Sequence, residues 1–205
     1  HDALPIFFLR TPESYREYFR ARQEEGAALE FYSCTGPARL LDPYAYYRLQ
    51  AWTCWKERAQ AMHFWAFGDL GGGQSAWNEY AAPGTVYTPQ FLDAHGATDS
   101  KQMAAIREGI EDYELFVLAD EVPRRTKGKT GESYAKRTRE IRDQLVERVL
   151  AQAGGRGFRW TEPRDRTLAD GARIQLLKAM AGEAPSNDLA AWEDHKQQIR
   201  ENMHK

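Results

Sequence analysis

The sequence predicts an α/β protein, a set of parallel βα units followed by a helical C-terminal extension. Three observations carry this. Short apolar runs at residues 6–9 (IFFL), 29–34 (LEFYSC) and 62–67 (MHFWAF) have strand length and alternate with helical stretches. Strand–helix–strand at this spacing calls for right-handed parallel crossovers. Beyond residue 120 the apolar positions recur at helical spacing instead.

Each element has a local cause. After the first strand, Thr11-Pro12 opens a helix: Thr as N-cap, Pro at the first helical position, where its missing N–H costs nothing. Tyr15, Tyr18, Phe19 and Arg22 share one face, and Gly26 closes the helix. Asp42-Pro43 repeats the cap-plus-proline signal before a helix carrying Tyr46, Tyr47, Leu49, Trp52 and Trp55. Residues 68–98 read as one long loop, a length that inside a compact domain points to function. Asp99 with Gln102 reads as a capping box for the next helix, whose stripe is Met103, Ile106, Ile110, Tyr113 and Val117. A basic, glycine-dotted stretch begins near residue 121. It leads into an amphipathic helix (Tyr134, Ile141, Leu145, Val149) stopped by Gly154-Gly155, and two further helices are expected near residues 167–181 and 187–203. The organisation is therefore residues 1–119 as βα units and 120–205 as basic linker plus helical extension.

Three parallel strands make an unfinished sheet, because a parallel sheet needs its faces and edges covered. They read as part of a larger sheet or barrel. The net charge of −2 gives no general drive toward nucleic acid or anionic membrane, and no apolar run reaches the length of a membrane span. The chain starts at His1 rather than Met, which reads as a processed or truncated product with no signal peptide in view. Cys34 and Cys54 sit among aromatics and read as buried free thiols rather than a disulfide.

Candidate chemistry concentrates in residues 64–80, FWAFGDLGGGQSAWNEY. Residues 68–75 spell G-x-x-x-x-G-Q-S, one residue short of a phosphate-binding loop; Gln74 stands where a lysine would reach the phosphates. His63 and His95 lack zinc-site spacing, so neither metal nor cofactor is expected. The basic run over residues 124–142 reads as a solvated helix face rather than a nucleic-acid surface.

The string REGIEDYE at residues 107–114, following the strand end Trp65-x-Phe67-Gly68, resembles the C-terminal part of the β-N-acetylgalactosaminidase-like glycoside hydrolases of family 123 and their bacterial relatives. Three features match in order over residues 29–119. Phe31-Tyr32-Ser33-Cys34 with Gly36-Pro37 resembles the seventh barrel strand. Ala51-Trp52 through Trp55-Lys56, then Phe64-Trp65-Ala66-Phe67, resembles the seventh helix and eighth strand, and REGIEDYE the closing helix.

The resemblance implies the C-terminal portion of a (β/α)8 TIM barrel, acting on β-linked N-acetylhexosamine glycans in an extracellular or periplasmic setting. In that family the substrate's acetamido oxygen attacks the anomeric carbon, oriented by an aspartate while a glutamate acts as general acid. Both carboxylates fall upstream of residue 1 in this alignment, so no catalytic residue is assigned here, and the missing N-terminal part of the barrel is the implied partner. Loops at the strands' C-terminal ends build a barrel's active site. Trp65, Asp69, Trp77, Asn78 and Glu79 in the glycine loop, with Tyr32 on the neighbouring strand, then read as a glycan-binding platform: aromatic faces for the sugar's C–H faces, carboxylates and amides for its hydroxyls. Two alternatives stay open, Asp69 and Glu79 as a catalytic carboxylate pair, and a non-catalytic carbohydrate-binding or scaffolding piece of a larger assembly.

Overall fold

The computed structural model describes residues 2–5, 13–33, 41–68, 88–125, 129–151 and 164–182. It is a mixed α/β structure. Strands β1 (Asp2–Pro5), β2 (Leu29–Ser33) and β3 (Ala61–Phe64) form a parallel sheet in the order β1-β2-β3. Helix α1 (Glu13–Glu24) connects the first pair and α2 (Leu49–Glu57) the second. A two-stranded antiparallel hairpin follows, β4 (Phe91–Asp93) and β5 (Gly96–Thr98), then α3 (Lys101–Arg125), α4 (Lys129–Leu150) and α5 (Thr167–Met180).

The helix ends obey the chemistry of their sequences. Gly26 takes φ +93° and closes α1, with its N–H on the Gln23 carbonyl and Ala27 N–H on that of Arg22. Asp42 caps the next helix, its carboxylate accepting from Ala45 N–H at 3.3 Å, but the first turn, Tyr44–Arg48, is a π-helix that runs into α2. Five consecutive residues of that turn are buried. Widening the turn brings Tyr46 and Tyr47 together against Phe64, while the Tyr46 hydroxyl meets the Ser33 hydroxyl on β2.

Four expectations need correction. The third strand ends at Phe64 instead of continuing to residue 67, because its partner β2 ends at Ser33; the last rung is Trp65 N–H to the Ser33 carbonyl at 2.8 Å. The long loop contains the β4–β5 hairpin, whose turn Asp93 holds by accepting from the backbone N–H groups of His95 and Gly96. Ser100, not Asp99, caps α3: its hydroxyl accepts from Gln102 and Met103 N–H, both at 3.2 Å. The buried face of α3 is Ile106, Gly109, Asp112, Leu115, Phe116 and Ala119, so Ile110 and Val117 stand exposed. That face packs on the π-turn and α2, with α4 alongside; Tyr113 alone of the expected stripe joins the sheet-side cluster of Leu29, Phe31, Cys54 and Met62.

The main core lies between α2, α3, α4 and α5. It centres on Tyr46, Tyr47, Leu49, Trp52, Phe116, Val149 and Leu176. Cys54 is a buried free thiol, as its surroundings suggested. Tyr15 and Tyr18 of α1 are exposed, and only Phe19 of the expected face packs inward. The expected strand at residues 6–9, the cap at Thr11-Pro12, Cys34, Gly154-Gly155 and the helix at 187–203 lie outside the described residues.

Candidate functional site

The two faces of the parallel sheet differ in chemistry. Along β2, Leu29, Phe31 and Ser33 are buried toward the helices, while Glu30 and Tyr32 alternate to the other side and are only half-buried. In register, Tyr32 pairs with Pro5 on one side and His63 on the other, and Phe31 pairs with Met62. Residues paired in register share a face. Phe31, Met62, Ser33 and Phe64 therefore face the helices, and Glu30, Tyr32 and His63 face away from them. Trp65, the first residue after β3, is 49% exposed.

Among the described residues no helix covers this face, which is polar and aromatic. A parallel strand packed on both faces reads as a continuous apolar run, whereas LEFYS and AMHF place Glu, Tyr and His on one side only. His63 Nε2 lies 3.3 Å from Glu30 Oε2, with the imidazole half exposed. Just past Trp65, whose peptide bond to Ala66 is cis, the chain turns at Phe67 and Gly68. The buried Thr88 donates its hydroxyl to the Phe67 carbonyl and Ser100 donates to that of Pro89. The two ends of the intervening loop are thereby pinned together at the strand's C-terminal end, where ligands of open α/β sheets sit.

Of the sequence-predicted platform, Tyr32 lies on β2, and Trp65 is the first residue after β3, joined to β2 through its N–H on the Ser33 carbonyl. Asp69, Trp77, Asn78 and Glu79 lie outside the described residues. Glu30 and His63 belong to the same face; Glu30 was not singled out from the sequence, and His63 was weighed there only as a zinc ligand. The signal was there, as Glu30, Tyr32 and His63 at alternate positions of two short strands.

A second polar cluster is built into the helical core. Asp112 is 1% exposed and its carboxylate accepts from Arg48 Nε at 2.7 Å, Trp52 Nε1 at 2.8 Å and Arg173 Nε at 2.8 Å. Arg48 also reaches Asp170 at 2.6 Å, and Arg173 reaches Glu108 at 2.9 Å. Burial works to lower the Arg48 pKa, but the hydrogen bonds and charges of Asp112 and then Asp170 more than offset it and hold the guanidinium firmly protonated. With both carboxylate oxygens engaged by donors, Asp112 is a structural anchor and offers no open position for acid–base work.

Two adjoining grooves, of about 550 and 510 Å3, lie at the other end of the sheet. Ala27 and Gln60, just before β2 and β3, line the first; Trp55 with Arg142 stacked 4.5 Å above it lines the second. Arg142 is tied to Asp120 at 2.6 Å and Asp143 at 2.9 Å. Among the described residues no group of three or more His, Cys, Asp or Glu converges as a metal site would require, and no helix is long and apolar enough to cross a membrane.

Neither a protein-family model nor a curated protein sequence matches this chain. The functional reading therefore rests on the open face of the sheet and on the strand and helix strings quoted above.

Proposed function

We propose that this chain forms the last three βα units of a (β/α)8 glycoside hydrolase acting on β-linked N-acetylhexosamine glycans, and that it supplies part of the sugar-binding wall. The observation that carries this reading is the half-exposed Trp65, set immediately after β3 and next to the strand that bears Tyr32. An exposed indole beside a phenol suits stacking on a pyranose ring, since each offers a flat apolar face with a polar edge. The helix-covered face supports the barrel assignment: helices outside and polar groups inside are what a closed parallel barrel presents at its mouth. The remaining strands, and the Asp–Glu pair that orients the acetamido group and protonates the leaving oxygen, would come from the rest of a longer protein or from another chain. They would pair along the edges of β1 and β3.

Trp65→Ala tests the reading. In the complete enzyme kcat/KM should fall by about two orders of magnitude, roughly 2.7 kcal/mol of transition-state binding. The melting temperature should barely move, because the indole is already half in water. In the isolated chain the same substitution should abolish calorimetrically detected binding of N-acetylhexosamine glycans. Unchanged binding and turnover in a folded Trp65→Ala protein would defeat the proposal. Glycan binding without hydrolysis by the complete protein would instead favour the non-catalytic reading.

A further inference from the structure

We infer that Glu30 and His63 act together as a hydroxyl-recognising pair in the floor of the sugar subsite, one step below Trp65 along the strand. This rests on the glycan reading above and assigns its polar selectivity to residues on the strands themselves. The geometry is specific. Glu30 lies on the central strand, two residues before Tyr32, and His63 lies on the neighbouring strand in register with Tyr32. Their side chains meet at 3.3 Å on the face away from the helices.

Stability does not account for the pair. The His63 side chain is 50% exposed and that of Glu30 22%, and a partly exposed contact of this kind adds little to folding. Glutamate is also a poor strand residue, most of all in a parallel sheet whose other face is apolar. The pair makes chemical sense as a binding group. With its proton on Nε2, His63 donates to Glu30 Oε2, and this fixes the tautomer and ring orientation. The lone pair on Nδ1 is then an acceptor, and the ligand group it suits is a donor: a ring hydroxyl of a hexosamine whose apolar face rests on Trp65. Tyr32, the register partner of His63, adds a phenolic hydroxyl on the same rung. A ligand whose hydroxyl is methylated or removed would leave Nδ1 desolvated and unmatched, which is how a polar subsite discriminates.

The experiment is a nuclear magnetic resonance titration of the full chain with N-acetylgalactosamine, following the imidazole nitrogens of His63 and the indole N–H of Trp65. The free protein should show the Nε2–H tautomer, and Glu30→Gln should loosen that preference. On adding sugar both reporters should shift. His63→Phe should weaken binding about tenfold, the loss of one hydrogen bond, whereas His63→Gln, whose amide oxygen can accept, should keep most of the affinity. Melting temperatures of the variants should match the parent. A shift at Trp65 with none at His63, or equal affinity for His63→Phe and parent, would overturn this inference and leave the sugar platform standing. Silence at both reporters would remove both readings.

Discussion

Replacing Gly109 puts a side chain where α3 lies against the backbone of the π-turn and α2. A Cβ built there would sit 2.8 Å from the Arg48 carbonyl oxygen, 3.1 Å from the Arg48 Cα and 3.4 Å from the Ala51 Cβ. Two of these three neighbours are backbone atoms, which cannot swing aside. Restoring the oxygen contact from 2.8 to 3.4 Å requires the helices to part by about 0.6 Å. Opening that seam strains the core around Trp52 and pulls Arg48 off Asp112. Overpacking of this kind costs roughly 1–3 kcal/mol, and rigid backbone neighbours place Gly109 in the upper part of that range.

An opposing effect has to be subtracted. Alanine is favoured over glycine in a helix interior by about 1 kcal/mol, so an uncontacted Gly109→Ala would stabilise the protein. The net expectation is a loss of about 1–2 kcal/mol, or a melting temperature lower by roughly 2–8 °C for a chain of this size. Gly109→Leu should lose more than 3 kcal/mol, because its branch has no space to enter. Differential scanning calorimetry with urea titration of the same variants reads both quantities. A melting temperature that rises for Gly109→Ala would mean that helix propensity wins and that α3 does not lie this close to Arg48.

Further outcomes concern two ion pairs of α3 and the buried thiol of α2. Asp112→Asn keeps the shape but leaves Arg48 and Arg173 without their shared counter-charge, so urea unfolding should show a loss of about 3–5 kcal/mol. Arg107→Ala, which breaks only the exposed pair with Glu111 at 3.7 Å, should stay within about 0.5 kcal/mol. Burial pushes the Cys54 thiol from 9.0 up to about 12. Its folded pKa is raised, so its contribution is intact below pH 9 and is lost as pH climbs from 9 toward 12. Native protein at pH 8 should leave Cys54 unalkylated by peptide mass mapping, and Cys54→Ala should flatten the alkaline fall in stability; rapid native labelling would show the thiol to be exposed.

The βα order was legible because its signals are local. Cap-plus-proline at Asp42-Pro43, the closing Gly26 and the apolar strand runs act within a few residues of themselves. What sequence missed depends on distant partners. The length of β3 is set by where β2 stops, and the π-turn by packing of Tyr46 and Tyr47 against Phe64. Ser100 outcompetes Asp99 as a cap while it also ties α3 to Pro89. For the candidate site, Trp65 and Tyr32 could be named from strand ends and aromatic character. Glu30 and His63 became visible only once the register placed them side by side.

The REGIEDYE string illustrates how much a motif can specify without chemistry. Arg107 and Glu111 pair on the surface, and Gly109 admits the backbone of the neighbouring turn. Asp112 and Glu108 clasp Arg48 and Arg173, joining α3 to the helices before and after it. Tyr113 stacks edge-on against Trp55 at 5.4 Å. The middle of the string is thus accounted for by packing and charge balance, and nothing in it faces the open side of the sheet. The polar groups Glu30, Tyr32 and His63 lie on the sheet face turned away from this helix, so the string and that face are separate features of the chain.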